Sequence, residues 1–142
     1  MHTCFQPELH RGTLFLTEEE SQHVVRVLRM KEGDSLRLVD GQGGEAEGRL
    51  TAVAKRSAQG HVDSVTREQV RPQGLILVVA PTKQTDRFEW LLEKATELGV
   101  EEIIPVWTER SERRVDKHER WSKVLVAATK QCQRLWMPRF HP

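Results

Sequence analysis

The chain has 142 residues, a formal net charge of +1, 30% charged and 37% hydrophobic residues, the profile of a soluble globular protein with room for one domain or two small ones. No apolar run approaches the roughly 18 residues that cross a bilayer, and Met1–Arg11 lacks a signal-peptide pattern, so a cytoplasmic protein without membrane contact is expected. Cys4 and Cys132 form no C-x-x-C pair, which predicts neither a disulfide framework nor a zinc knuckle.

In chain order, Thr13–Leu16 reads as a strand, and Thr17 with Glu20 forms a capping box that opens a short helix through Leu28. Ser35–Asp40 alternates apolar and polar residues, Gly41-Gln42-Gly43-Gly44 turns the chain, and Glu45–Val53 and Gly60–Val65 follow as strands. These elements predict a small β-barrel with one helix. The glycine cluster precedes a strand, whereas a phosphate loop opens a helix, so a hairpin turn is expected. In the helix, Arg26 and Arg29 are three apart on one face with His23 a turn earlier. Phosphate contact and a solvated face paired with Glu18–Glu20 both fit the arginines, and His23 fits a packed, hydrogen-bonded role equally well. Glu68–Gly74, containing Pro72, reads as a linker.

Leu75–Ala80 is a continuous apolar run rich in β-branched residues, as a strand buried on both faces requires. Asp86 and Glu89 make a further capping box, and Phe88, Leu91, Leu92, Ala95 and Leu98 recur at helical spacing until Gly99. Ile103–Trp107 supplies the next strand. The result is a βαβ unit, whose right-handed crossover leaves the loops Pro81–Thr85 and Thr108–Arg114 at the carboxyl edge of the sheet, where ligands of open α/β sheets bind. Glu93, Lys94 and Glu97 are read as members of ordinary i,i+4 helical charge pairs. In a last helix, Trp121, Val124, Leu125, Ala128, Cys132 and Leu135 share an apolar stripe. Arg120, Lys123, Lys130 and Arg134 gather opposite, within a Glu109–Pro142 segment that carries an excess of about five positive charges. That face is read as either solvated or phosphate-binding. The six histidines show no H-x-x-x-H or H-E-x-x-H spacing, so no metal site is expected, and no G-x-S-x-G elbow suggests a hydrolase.

The run K-x-x-D-R-x-E-W-L-x-E-K-A-T-E-L-G-V from Lys83 to Val100, with I-I-P at Ile103–Pro105 and R-S at Arg110 and Ser111, resembles the bacterial small-subunit (16S) ribosomal RNA (uridine-N3)-methyltransferases. These are knotted SPOUT-class enzymes that use S-adenosylmethionine. His23-Val24-Val25-Arg26-Val27-Leu28-Arg29, Gly33-Asp34 and Asp40-Gly41 resemble the PUA-like domain of the same family. The resemblance implies an α+β and α/β chain: a PUA-like, RNA-binding β-barrel over residues 1–71, then over 72–142 the first half of a SPOUT α/β knot domain, the knot itself absent. The family's G-P-E-G-G loop and late L-G-x-R-I-L-R segment do not occur. The chain is therefore expected to be the amino-terminal part of such an enzyme, inactive alone, with the cofactor site beyond residue 142.

Methylating uridine at N3 removes a proton and spreads negative charge over two carbonyl oxygens, so a nearby cation lowers the barrier. Arg110 is the expected catalytic residue. Lys83 offers a cation or a phosphate contact and Ser111 a hydrogen bond, while Arg26, Arg29, Lys123, Lys130 and Arg134 complete the expected RNA surface. A surface loop cation for Lys83 and an ion pair with Glu109 or Glu112 for Arg110 remain open. Lys130 stands before Gln131 where the family commonly has an acid, so that acid's role is not carried over. The implied partners are small-subunit ribosomal RNA or the ribosomal particle and a second subunit. A non-enzymatic RNA-binding module and a protein-interaction adaptor are the alternatives.

Overall fold

A computed structural model describes residues 1–110 and 117–142. The chain divides into two compact units, Met1–Arg71 and Pro72–Pro142.

The first unit contains strands β1 (Thr3–Phe5), β2 (Gly12–Phe15), β3 (Ser35–Val39), β4 (Gly44–Val53), β5 (Ala58–Val62) and β6 (Thr66–Arg67), with helix α1 (Glu18–Gln22) between β2 and β3. They form one sheet in the order β1-β3-β4-β5-β2, with β6 paired to β4. All pairings are antiparallel except β1 with β3. The expected barrel is not closed by a ladder, because no pairing joins the end strands β1 and β2. A side-chain bond crosses between them instead, from Gln6 Nε2 to the Phe15 carbonyl at 3.1 Å. Along β4 the pleat sends Ala46, Gly48 and Leu50 inward and Glu47 and Arg49 to solvent. The inward set packs with Leu14, Leu36, Leu38, Val62 and Val24 of the helical segment.

Thr17 caps α1 as expected, its hydroxyl accepting from the Glu20 N–H at 3.3 Å. The Glu20 carboxylate is turned toward the sheet, where it accepts the Phe5 N–H at 3.1 Å. Buried Ser21 links helix and sheet by donating to the Leu16 carbonyl and accepting from the Ala58 N–H at 3.1 Å. Past Gln22 the chain widens into a π-helical turn, His23–Val27, closed by a Leu28 N–H to His23 carbonyl bond of 3.0 Å.

The second unit contains β7 (Ile76–Val79), α2 (Thr85–Glu97), β8 (Glu102–Pro105), α3 (His118–Gln131) and β9 (Arg139–Phe140). The strands form a parallel sheet in the order β7-β8-β9. The βαβ unit is present with its expected helix and central strand. Parallel strands added in sequence by right-handed crossovers put successive helices on one face. In agreement, α2 and α3 pack together, and Phe88, Leu92, Ile103, Trp121 and Leu125 form their common core. That corrects the expectation of a first strand buried on both faces: Leu77 and Val79 face the core, while Ile76 and Val78 are 57% and 58% exposed.

The second expected capping box also fails. Helix α2 starts two residues earlier than the box requires, Gln84 is its cap residue without a side-chain bond, and Asp86 lies inside the first turn. There its charge still complements the helix dipole, while Glu89 is drawn to Arg120. The expected stop at Gly99 is observed. Gly99 adopts φ +84°, and the bonds Val100 N–H to Ala95 carbonyl (3.0 Å) and Gly99 N–H to Thr96 carbonyl (3.1 Å) form a Schellman motif. A Cβ here would lie 2.9–3.0 Å from the Arg134 guanidinium. Gly99→Ala is expected to destabilise the second unit by about 1–2 kcal/mol, read as a lower urea midpoint at unchanged slope.

Candidate active-site edge and nucleic-acid surfaces

Because β7 and β8 are parallel, the segments that follow them emerge at one edge of the sheet. Lys83, in the exposed segment after β7, and Arg110, exposed after β8, both belong to that carboxyl edge. Ser111, and the Thr108–Arg114 loop from residue 111 on, lie outside the described residues.

The same edge holds a hollow of about 370 Å³, lined among others by Pro105 and Trp107 after β8, His118 and Trp121 of α3, and Phe140 and His141. Its wall is aromatic. His118 stacks on Phe140 with centroids 4.7 Å apart and planes 11° from parallel, and Trp121 meets Phe140 edge-on at 6.4 Å. His141 pairs with Glu102. The sequence reading placed cations at this edge and missed the aromatic lining. The signal lay in Trp107 just past β8, Phe140 at the end of β9 and Trp121 in the first turn of α3, a grouping visible only once β9 is known to pair with β8.

The basic face of α3 is partly consumed by structure. Arg120 forms an ion pair with Glu89 at 2.5 Å, and Lys117 donates to the Thr85 hydroxyl at 2.9 Å. Arg134 donates to the Glu97 carbonyl at 2.9 Å and so caps the end of α2. The phosphate role expected of Arg134 thus competes with a defined structural one. Lys123 is exposed and lines an open groove of about 790 Å³ with Glu89, Lys117 and Arg120; Lys130 is half-buried. On α2, Lys94 reaches Glu97 three residues on at 3.3 Å and its neighbour Glu93 at 3.5 Å, so the charges pair locally but not at the i,i+4 spacing expected. The hydrogen bond to Glu97 raises the Lys94 pKa, though an exposed pair of this kind adds little stability.

In the first unit Arg26 and Arg29 are both exposed. Their expected common α-helical face does not form. Arg26 sits in the π-helical turn, and Arg29, past the cap residue Leu28, has φ 52°. The loop at Gly41–Gly44 is a hairpin turn between β3 and β4, organised by the buried Asp40. His23 packs its ring against His2, centroids 5.1 Å apart. The structure also gathers His2, Cys4 and Glu20, whose ligand atoms lie within 4.8 Å of one another. Histidine spacing gave no hint of this group, since its members come from a strand and a helix separated by β2.

Residues 69–142 match the RNA methyltransferase domain family. The chain belongs to this family. Residues 16–63 match the RNA methyltransferase PUA domain. Ribosomal RNA small subunit methyltransferase E of Bacillus subtilis (strain 168) is 33% identical over 133 residues, covering 89% of this chain and 52% of its own. The protein of that name from Synechocystis is 31% identical over 133 residues, covering 92% and 43%. Among solved structures, a probable rRNA-methyltransferase from Porphyromonas gingivalis superposes with a TM-score of 0.85 at 34% identity, covering 99% of this chain and 59% of that one. A ribosomal RNA small subunit methyltransferase E from Neisseria gonorrhoeae, bound to S-adenosyl methionine, also gives 0.85 at 30% identity, covering 100% and 61%. The mixed α/β fold of this RNA methyltransferase chain is thus that of rRNA methyltransferase structures. The chain spans about half the length of the curated relatives it matches.

Proposed function

We propose that this chain forms part of a S-adenosylmethionine-dependent enzyme that methylates N3 of a uridine in small-subunit ribosomal RNA. On this reading the whole protein acts as a cytoplasmic homodimer on an assembled ribosomal particle, recognised through shape and phosphates. The observation that carries the reading is the carboxyl edge of the β7-β8-β9 sheet, where an aromatic-lined hollow shares the edge with the exposed cations Lys83 and Arg110. The relatives' names and the bound S-adenosyl methionine of the Neisseria gonorrhoeae structure support it.

Each feature has a task. Trp107, Trp121 and Phe140 offer flat faces against which an unstacked base can lie. Arg110 offsets the negative charge that develops on the uracil carbonyl oxygens as the N3 proton leaves, and Lys83 holds a phosphate. S-adenosylmethionine supplies the electrophilic methyl group; no residue of this chain is assigned to hold it. Arg26, Arg29, Lys123 and Lys130 contribute cationic surface for the RNA backbone, with Arg134 able to add to it only by sharing its guanidinium with the Glu97 carbonyl.

The test uses the whole protein, methyl-labelled S-adenosylmethionine and small ribosomal subunits lacking the modification, followed by nucleoside analysis. Label is expected in 3-methyluridine, and Arg110→Ala should lower turnover by about 10²–10³-fold, the cost of removing one charge-stabilising donor. Label in another nucleoside would overturn the N3 assignment. Undiminished turnover in Arg110→Ala would remove Arg110 from the reaction.

A further inference from the structure

We propose that His2, Cys4 and Glu20 form a site for a zinc-class divalent cation in the first unit. Among the described residues these three bring imidazole, thiol and carboxylate ligand atoms within 4.8 Å of one another. The set is the one zinc takes in proteins: nitrogen, sulfur and oxygen ligands at about 2.0–2.3 Å, about 3.3–3.8 Å from each other around a tetrahedron. Contraction of the group by about 1 Å closes it on an ion. Hard cations such as magnesium, which prefer oxygen ligands, are disfavoured by the thiol and imidazole.

The backbone explains why these three residues meet. His2 and Cys4 are two apart on either side of Thr3, so they share one side of the β1 segment. That segment is held in register against β3 by the Thr3↔Arg37 to Phe5↔Val39 ladder. Glu20 approaches from α1, and its carboxylate is steered by the Phe5 N–H at 3.1 Å, a backbone bond of the kind that orients metal ligands. His23, one turn after Glu20, lays its ring beside that of His2. Helix and strand thus present the ligand atoms with their directions already constrained.

Burial gives the site its thermodynamic sense. Cys4 is fully buried and Glu20 is 7% exposed, both beside the apolar core of the unit. A divalent cation held between them would stabilise both the buried carboxylate and a thiolate at Cys4. On binding, the Cys4 thiol loses its proton to solvent and the resulting thiolate ligates the ion, so affinity rises with pH through the thiol and imidazole ionisations. The ion would clamp the first strand to the helix that precedes Arg26. Three protein ligands leave one coordination position for water.

Cobalt(II) is the probe, because thiolate ligation gives a near-ultraviolet charge-transfer band and tetrahedral geometry gives intense visible absorption. The 142-residue chain, free of any polyhistidine tag and reduced, is titrated with cobalt(II) and then with zinc(II). The charge-transfer band should grow to a single equivalent and be displaced by zinc, and zinc should raise Tm. Cys4→Ser should abolish the band, His2→Ala should weaken cobalt(II) binding by more than about tenfold, and Cys132→Ser should leave both unchanged. Since Cys4 is a core residue, His2→Ala and Glu20→Gln serve as the decisive variants if Cys4→Ser fails to fold. No charge-transfer band in the unaltered chain, a band that depends on Cys132, or binding undiminished in both His2→Ala and Glu20→Gln would overturn the site.

Discussion

Asp40→Ala is expected to destabilise the first unit by about 2–4 kcal/mol, the sum of a lost charge-assisted bond and a stranded buried amide. Asp40 is the hub of the β3–β4 turn. One carboxylate oxygen accepts the Gln42 N–H at 2.8 Å and the Gly44 N–H at 2.9 Å, and the other accepts from Arg67 at 2.8 Å. Arg67 in turn donates to the Leu9 carbonyl at 3.1 Å, so the turn, β6 and the segment before β2 converge on one carboxylate. The side chain of Asp40 is 3% exposed and that of Arg67 44%. Arg67 can therefore regain water when its partner is removed, but the buried Gly44 amide cannot, which is why the loss stays below the figure for a wholly buried ion pair. Asp40→Asn keeps one oxygen for both amides but sets an NH2 donor opposite Arg67, giving up the charge and the Arg67 bond while no buried amide is stranded, so about 1–2 kcal/mol is expected. Hydrogen exchange of the β3 and β4 amides measures both. Equal losses for the two variants would show that the attraction to Arg67, and not the turn geometry, holds this corner.

The same corner shows what was legible in the sequence. Gly41, Gly43 and Gly44 read as a turn because they precede a strand, and Gly41 and Gly43 do adopt φ 71° and 89°. That Asp40 would organise the turn was not legible, because its partner Arg67 is far along the chain. Long regular elements were visible from periodicity: β4, β5, α2 and α3 appear within a few residues of their expected bounds. The strands that escaped notice, β1, β6 and β9, have two or three residues each, too short for any period, and each exists because a neighbouring strand offers an unpaired edge.

Functional residues followed the same division. Lys83 and Arg110 could be placed at the carboxyl edge from topology alone, since parallel strands fix which loops share an end. The aromatic hollow and the His2, Cys4 and Glu20 group could not, since both depend on β9 and β1. The capping box at Asp86 misled for a local reason. The pattern D-x-x-E is satisfied twice over, once as a box and once as first-turn acid plus an interhelical ion pair, and Arg120 on α3 selects the second. Helix faces drawn at 100° per residue likewise failed for Arg26 and Arg29, because the π-helical turn changes the angle between them.

Phe88→Ala is the substitution expected to cost most in the second unit, about 3–5 kcal/mol. Phe88 is fully buried, and its ring meets Trp121 in a T-shaped contact, centroids 4.7 Å apart and planes 66° apart. That contact is where α2 and α3 join, above the central strand residue Ile103. Among the described residues both helices lie on one face of the sheet, so a cavity at Phe88 can be filled only by shifts of α2 and α3 themselves. Phe88→Leu keeps most of the volume and should cost less, about 1–1.5 kcal/mol. All four tryptophans of the chain, Trp90, Trp107, Trp121 and Trp136, lie in the second unit. Intrinsic fluorescence therefore follows this unit selectively, and Phe88→Ala should lower its denaturation midpoint and alter the Trp121 emission. Because Trp121 also lines the hollow at the carboxyl edge, loosening its ring should blunt any base stacking there. Phe88→Leu, which keeps most of the apolar volume packed against Trp121 though not the ring contact, should retain more of it. A fluorescence midpoint unmoved by Phe88→Ala would mean that α2 and α3 are held together without this ring pair.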